Sequence, residues 1–170
     1  KNKSGYNVYK CLLNCIDTSK GEINMCGFTG FIGEVNNAQE VLQNMMNQII
    51  HRGPDSGGQF NEGKANLGFR RLSIIDLSHG SQPLYNEDES LVLTFNGEIY
   101  NYQSIREDLL AKGHIFKTNT DSEVLIHGYE EYGTELVSKL RGMFAFVIWD
   151  RKNEKLFAAR DHFGIKPFYY

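Results

Sequence analysis

The clearest helical pattern lies between residues 38 and 50. Its apolar residues recur every three or four positions, which is the period of a helix with one buried face. They are Val41, Leu42, Met45, Met46, Ile49 and Ile50. Asn36 or Asn37 precedes this run and predicts an N-terminal cap, because a short polar side chain can accept a hydrogen bond from the first free backbone N–H groups.

Further helices are expected in the second half of the chain. Residues 103–112 place Ile105, Leu109 and Leu110 on one face, and Gly113 follows as a left-handed C-terminal cap. Two more helices are predicted, over 119–132 and 134–140.

Continuous apolar runs with β-branched and aromatic members predict buried strands. The clearest are residues 91–95 (LVLTF) and 143–149 (MFAFVIW), the second with a hairpin partner at 155–160. Other strands are predicted at 26–32, 64–70 and 72–75. Strands outnumber helices and come in hairpins, with helical pairs between them. The pattern therefore predicts an α+β fold of two stacked, mainly antiparallel sheets flanked by helices.

Two stretches between these elements contain many turn residues. Residues 51–58 (HRGPDSGG) are predicted to form a loop, because glycine, proline, aspartate and serine cluster there. Residues 76–86 (DLSHGSQPLYN) form a long connection, and connections of this length in compact domains are often functional.

The composition limits the classes of function. The 170 residues are 41% hydrophobic and 23% charged, with a net charge of -3, which is typical of a single soluble globular domain. Lysine and arginine form no basic block, so no nucleic-acid partner is expected. No apolar run approaches the roughly 18 residues of a membrane span, and there is no signal peptide. The expected location is therefore cytoplasmic, without a membrane partner.

Cysteine and histidine spacing gives no sign of a metal or disulfide framework. Cys11, Cys15 and Cys26 fit neither pattern, and the five histidines are scattered without ligand spacing. No metal site is therefore expected from the sequence.

Cys26 follows an internal methionine and precedes a short apolar strand. As a first residue it would carry a thiol nucleophile and an α-amine, and this amine titrates near 7.7 to 8.0 and could act as a base. The alternative is a small buried residue in a strand. While residues 1–25 are attached, the nitrogen of Cys26 is an amide and cannot take a proton.

Residues 1–25 are therefore interpreted as a leader, a tag or a translated upstream segment. Apart from one apolar patch at 11–16 they are polar, and they are expected to form a short helix or to stay disordered. Lys20-Gly21-Glu22 can be encoded by a purine-rich ribosome-binding sequence just before a start codon for Met25. A true propeptide is the alternative.

Three other positions have both a chemical and a structural interpretation. Asn96 and the Gly97 N–H, at the end of a buried strand, can form an oxyanion hole or a tight turn. Arg71 can clamp a carboxylate or lie on a strand surface. Asp121 can pair with an ammonium group or cap a helix.

Eight motifs cover nearly everything after residue 24, in order. They are MCGFTGFIG at 25–33, HRGPDSGG at 51–58, GFRRLSIIDL at 68–77, GSQPLYN at 80–86, FNGEIYNY at 95–102, TDSEV at 120–124, RGMFAFVIWD at 141–150 and RDHFGIKPFYY at 160–170. Together they resemble the glutaminase domain of the asparagine synthetase family, a class II glutamine amidotransferase. The resemblance implies a four-layer αββα sandwich, the N-terminal-nucleophile hydrolase fold.

The resemblance also implies catalytic roles. Cys26 is similar to the family's nucleophile, which attacks the glutamine carboxamide to give a thioester and ammonia, with its own α-amine as base. Asn96 and the Gly97 N–H correspond to the oxyanion hole. The motif at 52–55 (RGPD) is a hallmark near the active site, for which no direct catalytic role is expected.

Substrate-binding roles follow in the same way. Arg71 is similar to the arginine that holds the substrate α-carboxylate, while Glu98 and Asp121 resemble the acids that receive its α-ammonium group. Backbone groups around Ile74 and Ile75 are expected to assist.

The family pattern extends beyond this chain. Residues 26–170 are interpreted as the glutaminase domain without its C-terminal part, and the family's ATP-binding synthetase domain would follow. Glutamine and that domain are the expected partners, with a homodimer left open. No cofactor is expected for the glutaminase step, whereas ATP and magnesium are implied for the synthetase domain. The alternatives are a related amidotransferase with another ammonia acceptor and a non-catalytic domain blocked by its leader.

Overall fold

The computed structural model describes residues 10–13, 26–72 and 81–170. The strands are β1 (Lys10–Leu13), β2 (Gly27–Ile32), β3 (Ser56–Glu62), β4 (Ala65–Arg71), β5 (Leu84–Tyr85), β6 (Leu91–Ile99), β7 (Gly142–Asp150) and β8 (Lys155–Arg160). The helices are α1 (Ala38–Gln48), α2 (Tyr102–Ala111), α3 (Glu123–Tyr132) and α4 (Leu136–Lys139), and a 3-10 turn at Gly133–Glu135 precedes α4.

The described strands form two four-stranded antiparallel sheets. The first has the order β1-β2-β4-β3 and the second the order β5-β6-β7-β8. In the second sheet β6 and β7 pair along their whole length, from Leu91 opposite Asp150 to Ile99 opposite Gly142. This long central pair is made from the two most apolar runs of the sequence, which satisfy their backbone groups by pairing with each other.

Three apolar clusters define the layers. Between the sheets, Phe28, Leu67 and Phe69 pack against Val92 and Val147. The outer face of the second sheet packs against helices α2, α3 and α4, and the outer face of the first sheet packs against α1. Burying one such aliphatic or aromatic side chain contributes about 1.5 to 3 kcal/mol. The predicted four-layer αββα sandwich is confirmed.

Two predicted loops contain strand residues: β3 begins within 51–58, and β5 lies within the predicted connection 76–86. Residues 51–58 were predicted to be a loop, but β3 begins at Ser56 and pairs with β4 from Ser56 opposite Arg71 onward. Gly58 resembles a turn residue in the sequence, yet it lies in a strand beside the backbone carbonyl of Gln82, where a Cβ atom has no room. The prediction of strand 72–75 falls mostly on residues outside the described ranges.

Three details of the helices also differ from the prediction, the first being that α3 begins at Glu123 and not at residue 119. Asn37 occupies the N-cap position of α1, but its side chain makes no capping hydrogen bond and only its backbone carbonyl accepts from Val41, at 3.0 Å. On α2, Ile105 and Leu109 are buried while Leu110 is 47% exposed. Leu110 therefore lies beside the buried face rather than on it.

The segment before Cys26 contains a strand where a helix or disorder was expected. Residues 10–13 form β1, which pairs antiparallel with β2 from Lys10 opposite Ile32 to Leu13 opposite Thr29. An extended segment is favoured here because the edge of β2 has unpaired N–H and C=O groups. No helix among the described residues is long and apolar enough to cross a membrane.

Candidate active site

A small cavity is lined by the start of β2, the end of β4 and residues of β6, and so by strands of both sheets. Its volume is about 170 Å³, which suits a small polar ligand better than a large one. Five of the predicted site residues line it, namely Cys26, Arg71, Asn96, Gly97 and Asp121. The other lining residues are Phe69, Gln82, Phe95, Thr120 and Ser122. The cavity therefore combines a thiol, a guanidinium, two carboxamides, two hydroxyls and a carboxylate with two aromatic rings.

The thiol of Cys26 is held at the end of β4. The backbone N–H of Leu72 donates a hydrogen bond to the Cys26 sulfur at 3.3 Å, and the thiol lies 3.7 Å from the Leu72 carbonyl oxygen. Cys26 is half-buried. Its sulfur therefore has a fixed position and still reaches the cavity.

The backbone of Cys26 is held by Arg52. The guanidinium donates to the Cys26 carbonyl oxygen from Nε at 3.3 Å and from Nη2 at 3.0 Å. Arg52 is only 1% exposed, and a buried charge is tolerated when it is hydrogen-bonded. Arg52 therefore fixes the residue that carries the thiol without lining the cavity itself.

Asn96 and Gly97 lie inside β6 and do not form the tight turn that the dipeptide alone suggests. Asn96 pairs with Ala145 and Gly97 with Phe144. Gly97 has φ +154°, and a Cβ atom there would meet the carbonyl oxygen of Met143 and lie 2.7 Å from the Phe144 Cα. A residue without a side chain is therefore required at position 97.

Asp121 does not cap α3 through its side chain. Its carboxylate accepts a hydrogen bond from the Ile99 N–H at 2.8 Å, which joins the segment before α3 to the end of β6. Burial raises the pKa of the Asp121 carboxyl above its ordinary value and the nearby Glu98 carboxylate raises it further, while the Ile99 N–H opposes both.

The segment before α3 is ordered by a polar network. The carboxylate of Glu123 accepts hydrogen bonds from the N–H groups of Lys117 and Thr118, both at 2.7 Å, and from the Thr118 hydroxyl at 2.6 Å. The hydroxyl of Thr120 contacts the hydroxyls of Thr118 at 2.8 Å and Ser122 at 3.1 Å. The three consecutive residues that line the cavity, 120–122, are thereby held in place.

Residues 25–170 match the family of the glutamine amidotransferase domain. The chain belongs to this family. The family resemblance predicted from the eight motifs is confirmed.

Two curated relatives of this amidotransferase domain are asparagine synthetases described as glutamine-hydrolyzing. Asparagine synthetase 1 of Bacillus subtilis (strain 168) is 51% identical over 151 residues, which cover 86% of this chain and 24% of that protein. Asparagine synthetase 3 of Arabidopsis thaliana is 45% identical over 148 residues, which cover 85% of this chain and 25% of that protein. The chain thus spans about a quarter of the length of these relatives.

A solved structure with similarity to the amidotransferase domain is the glutamine phosphoribosylpyrophosphate amidotransferase from B. subtilis, complexed with ADP and GMP. The alignment has a TM-score of 0.48 and 22% sequence identity, and it covers 89% of this chain and 30% of that chain.

Three predicted site residues are not among those that line the cavity. Glu98 is exposed, although it is close enough to Asp121 to raise the pKa of that carboxyl. Ile74 and Ile75 lie outside the described residues.

Gln82 and Lys166 are among the residues of the amidotransferase domain that the sequence did not single out. Gln82 lines the cavity and pairs with the backbone of Phe95, accepting from its N–H at 2.6 Å and donating to its carbonyl at 3.0 Å. Lys166 is buried, and burial and the Arg52 charge lower the pKa of its amine, whereas Asp161 and Cys26 oppose this. The motifs GSQPLYN and RDHFGIKPFYY contain both residues, but only the fold shows what they contact.

Proposed function

We propose that this amidotransferase domain hydrolyses glutamine to glutamate and ammonia with Cys26 as the nucleophile. The observation that carries the proposal is the cavity itself. It brings the Cys26 thiol together with a cation, Arg71, and a half-buried anion, Asp121, and with the adjacent pair Asn96 and Gly97. An amino acid with a side-chain amide carries complementary groups for each of these.

The proposed roles follow from charge. Arg71 binds the α-carboxylate of glutamine, since a guanidinium can bind a carboxylate through two parallel hydrogen bonds. Asp121, assisted by Glu98, receives the α-ammonium group. Backbone groups near Ile74 and Ile75 complete the binding site in this proposal. The substrate carboxamide then faces the Cys26 thiol.

The proposed reaction has two halves. The sulfur of Cys26 bonds to the carboxamide carbon, the oxygen takes up negative charge, and the Asn96 side chain and the Gly97 N–H stabilise that charge. The C–N bond breaks and ammonia leaves, with the proton of the thiol transferred to nitrogen. Water then attacks the thioester, which releases glutamate and restores the thiol.

The base in this proposal is the α-amine of Cys26, so the active form begins at Cys26. An amine with a pKa near 8 can carry a proton between sulfur and the leaving nitrogen. Removing residues 1–25 would also uncover the edge of β2, because β1 pairs with that edge. Arg52 would still hold the Cys26 carbonyl.

The ammonia is proposed to serve an asparagine synthetase reaction in the cytoplasm. The similarity to relatives named asparagine synthetase supports this acceptor chemistry. ATP and magnesium would be used by a synthetase domain that receives the ammonia, and not by the cavity around Cys26.

Labelling by a glutamine analogue with an electrophilic side chain tests the proposal. Chain beginning at Cys26 should be modified once, at Cys26, and excess glutamine should slow the modification. Cys26→Ala should not be labelled, while Arg71→Gln should be labelled more slowly and without glutamine protection. Labelling of the alanine variant at the wild-type rate would refute the nucleophile assignment.

A further inference from the structure

A cluster of two histidines and a carboxylate lies away from the cavity. Glu87 follows β5, His114 follows α2, and His127 lies within α3. One potential ligand atom of each lies within 4.8 Å of those of the other two. The fold thus joins three segments whose sequence spacing gives no metal pattern, and none of the three residues lines the cavity.

His127 is the observation that distinguishes this cluster from an ordinary group of surface charges. Its side chain is 1% exposed, yet neither ring nitrogen makes a hydrogen bond of good geometry: the nearest carboxylate oxygens, of Glu87 at Nδ1 and of Glu123 at Nε2, each lie 3.5 Å away. Buried polar atoms are nearly always paired, because leaving one unpaired costs free energy. Nε2 has the Glu123 carboxylate beside it, whereas Nδ1 faces the carboxylates of Glu87 and Glu130 at 3.5 and 3.8 Å without a hydrogen bond to either. Nδ1 of this buried ring therefore points to a further partner between these groups.

The neighbouring carboxylates orient the side chains towards one point. The Ile115 N–H binds Oε1 of Glu87 at 3.1 Å, and Glu87 Oε2 lies 3.5 Å from Nδ1 of His127. Behind each imidazole, Nε2 faces another carboxylate. His127 Nε2 lies 3.5 Å from Glu123 Oε1, and His114 Nε2 lies 3.3 Å from Glu131 Oε2.

This arrangement is the one found behind metal-bound histidines. A carboxylate on the outer ring nitrogen fixes the tautomer and leaves the other nitrogen free to bind the ion. In this cluster the other nitrogens are the Nδ1 atoms, and both face Glu130. The Oε2 atom of Glu130 lies 3.7 Å from His114 Nδ1 and 3.8 Å from His127 Nδ1. Glu130 or water can therefore supply a fourth ligand.

We propose that Glu87, His114 and His127 bind a divalent transition-metal ion, with zinc the best fit. Imidazole nitrogen with carboxylate oxygen suits zinc, whereas calcium and magnesium prefer oxygen alone. Ligand atoms in a tetrahedral zinc site are about 3.4 Å apart. Glu87 Oε2 and His127 Nδ1 are already 3.5 Å apart, and no pair of ligand atoms in the cluster is separated by more than 4.8 Å. The surrounding carboxylates add a favourable negative charge.

The proposed ion would tie three segments to one point. Two are connections, after β5 and after α2, and the third is helix α3, which begins two residues after Asp121. Zinc would therefore stabilise the fold next to the cavity without entering it.

Zinc binding by the metal-free chain tests this proposal. The full chain is used with Cys11, Cys15 and Cys26 changed to serine, because thiolates also bind zinc. It should bind one zinc ion by calorimetry, and its Tm should rise by about 5 to 10 °C at a zinc concentration near 100 times Kd. Cobalt should give a visible spectrum without a thiolate band.

Two variants and two controls decide the assignment. Glu87→Gln and His114→Gln should each bind zinc at least about tenfold more weakly, while the exposed controls Glu107→Gln and His162→Gln should bind as before. Thermal melting in metal-free buffer checks that each variant is folded. If His114→Gln is not folded, the zinc affinity of Glu87→Gln decides the assignment. Absence of zinc binding, or unchanged affinity in Glu87→Gln, would overturn the proposal.

Discussion

At the scale of single residues, the cavity depends on polar side chains whose positions the fold fixes. Asn96 is 5% exposed and lies within a strand, where packing fixes its position. Asp121 is held by a backbone N–H of β6. Such preorganised groups cost little reorganisation when charge develops during a reaction, which is why they are effective in catalysis.

Asn96→Ala should slow glutamine turnover without weakening substrate binding. The carboxamide is proposed to stabilise charge that develops only in the transition state, so kcat should fall by about 100-fold to 1,000-fold with KM nearly unchanged. Steady-state kinetics of ammonia release measure both, with the exposed Asn44→Ala as control. A tenfold rise in KM at unchanged kcat would instead assign Asn96 to ground-state binding.

Glutamine binding should weaken in acid because of Asp121. Since burial raises the pKa of this carboxyl above 3.8, its charge is lost at a higher pH than that of an exposed aspartate, and the pairing with the α-ammonium group is lost with it. KM should therefore rise as the pH falls towards 4. Asp121→Asn should have a high KM at all pH values. If KM depended on pH in the same way in the wild type and in Asp121→Asn, this role of Asp121 would be contradicted.

Motifs indicated several of the residues that line the cavity, but not the contacts that hold the site together. Arg71, Asn96 and Asp121 could be proposed from local sequence together with the family resemblance. The contacts of Arg52 and Gln82 could not, because each binds a backbone group far away in sequence, Cys26 and Phe95 respectively. Every residue offers the same backbone carbonyl, so a sequence motif cannot show which backbone group a side chain will bind.

At the scale of elements, the close pairing of β6 with β7 fixes the positions of Asn96 and Gly97 in the cavity lining. The hydrophobic pattern predicted both strands, but it ended the first at residue 95, before the two residues proposed for catalysis. In β3, conversely, Gly57 and Gly58 suggested a turn. Glycine lowers strand propensity, and here the pairing with β4 outweighs that preference.

Gly97→Ala should destabilise this pairing. The new Cβ would meet the Met143 carbonyl and would require a φ that side chains rarely adopt, at a cost of about 1 to 3 kcal/mol. Tm should fall by about 2 to 10 °C. Gly63→Ala, with positive φ but nothing within 4 Å, should lose less. Equal losses in the two variants would show that the strand contact is unimportant.

At the scale of the whole molecule, Asp161 joins the C-terminal segment to β7. It is 3% exposed and accepts hydrogen bonds from the N–H groups of Phe144, Phe163, Ile165 and Lys166. Burial raises the pKa of this carboxyl, but these four donors outweigh burial and hold the pKa below its usual 3.8. Its contribution to stability is therefore present above that value and is lost as the pH falls through the folded-state pKa.

Asp161→Asn should lower the stability at neutral pH by about 1 to 3 kcal/mol. An amide has one acceptor oxygen and a donor group that faces N–H groups. The Tm difference from wild type should be largest near pH 7 and should narrow as the pH falls below 4. Thermal melts over this range measure it, with the exposed Glu34→Gln as control. A pH-independent difference would assign the effect to packing.

The layered fold as a whole followed from the hydrophobic pattern and the resemblance, because two long apolar runs and an amphipathic helix can be buried together in few ways. The edge strand β1 did not. Its formation depends on the free edge of β2, which is a property of the assembled sheet and not of residues 10–13 alone.

The most direct test of glutamine hydrolysis by Cys26 is ammonia release from glutamine by two forms of the chain. One begins at Cys26 with a free α-amine, and the other retains residues 1–25. The form beginning at Cys26 should turn over glutamine, with a rate that rises with pH through about 8 as the amine loses its proton. Cys26→Ala should be inactive. Equal turnover by both forms would contradict the role of the α-amine, and turnover by Cys26→Ala would contradict the account as a whole.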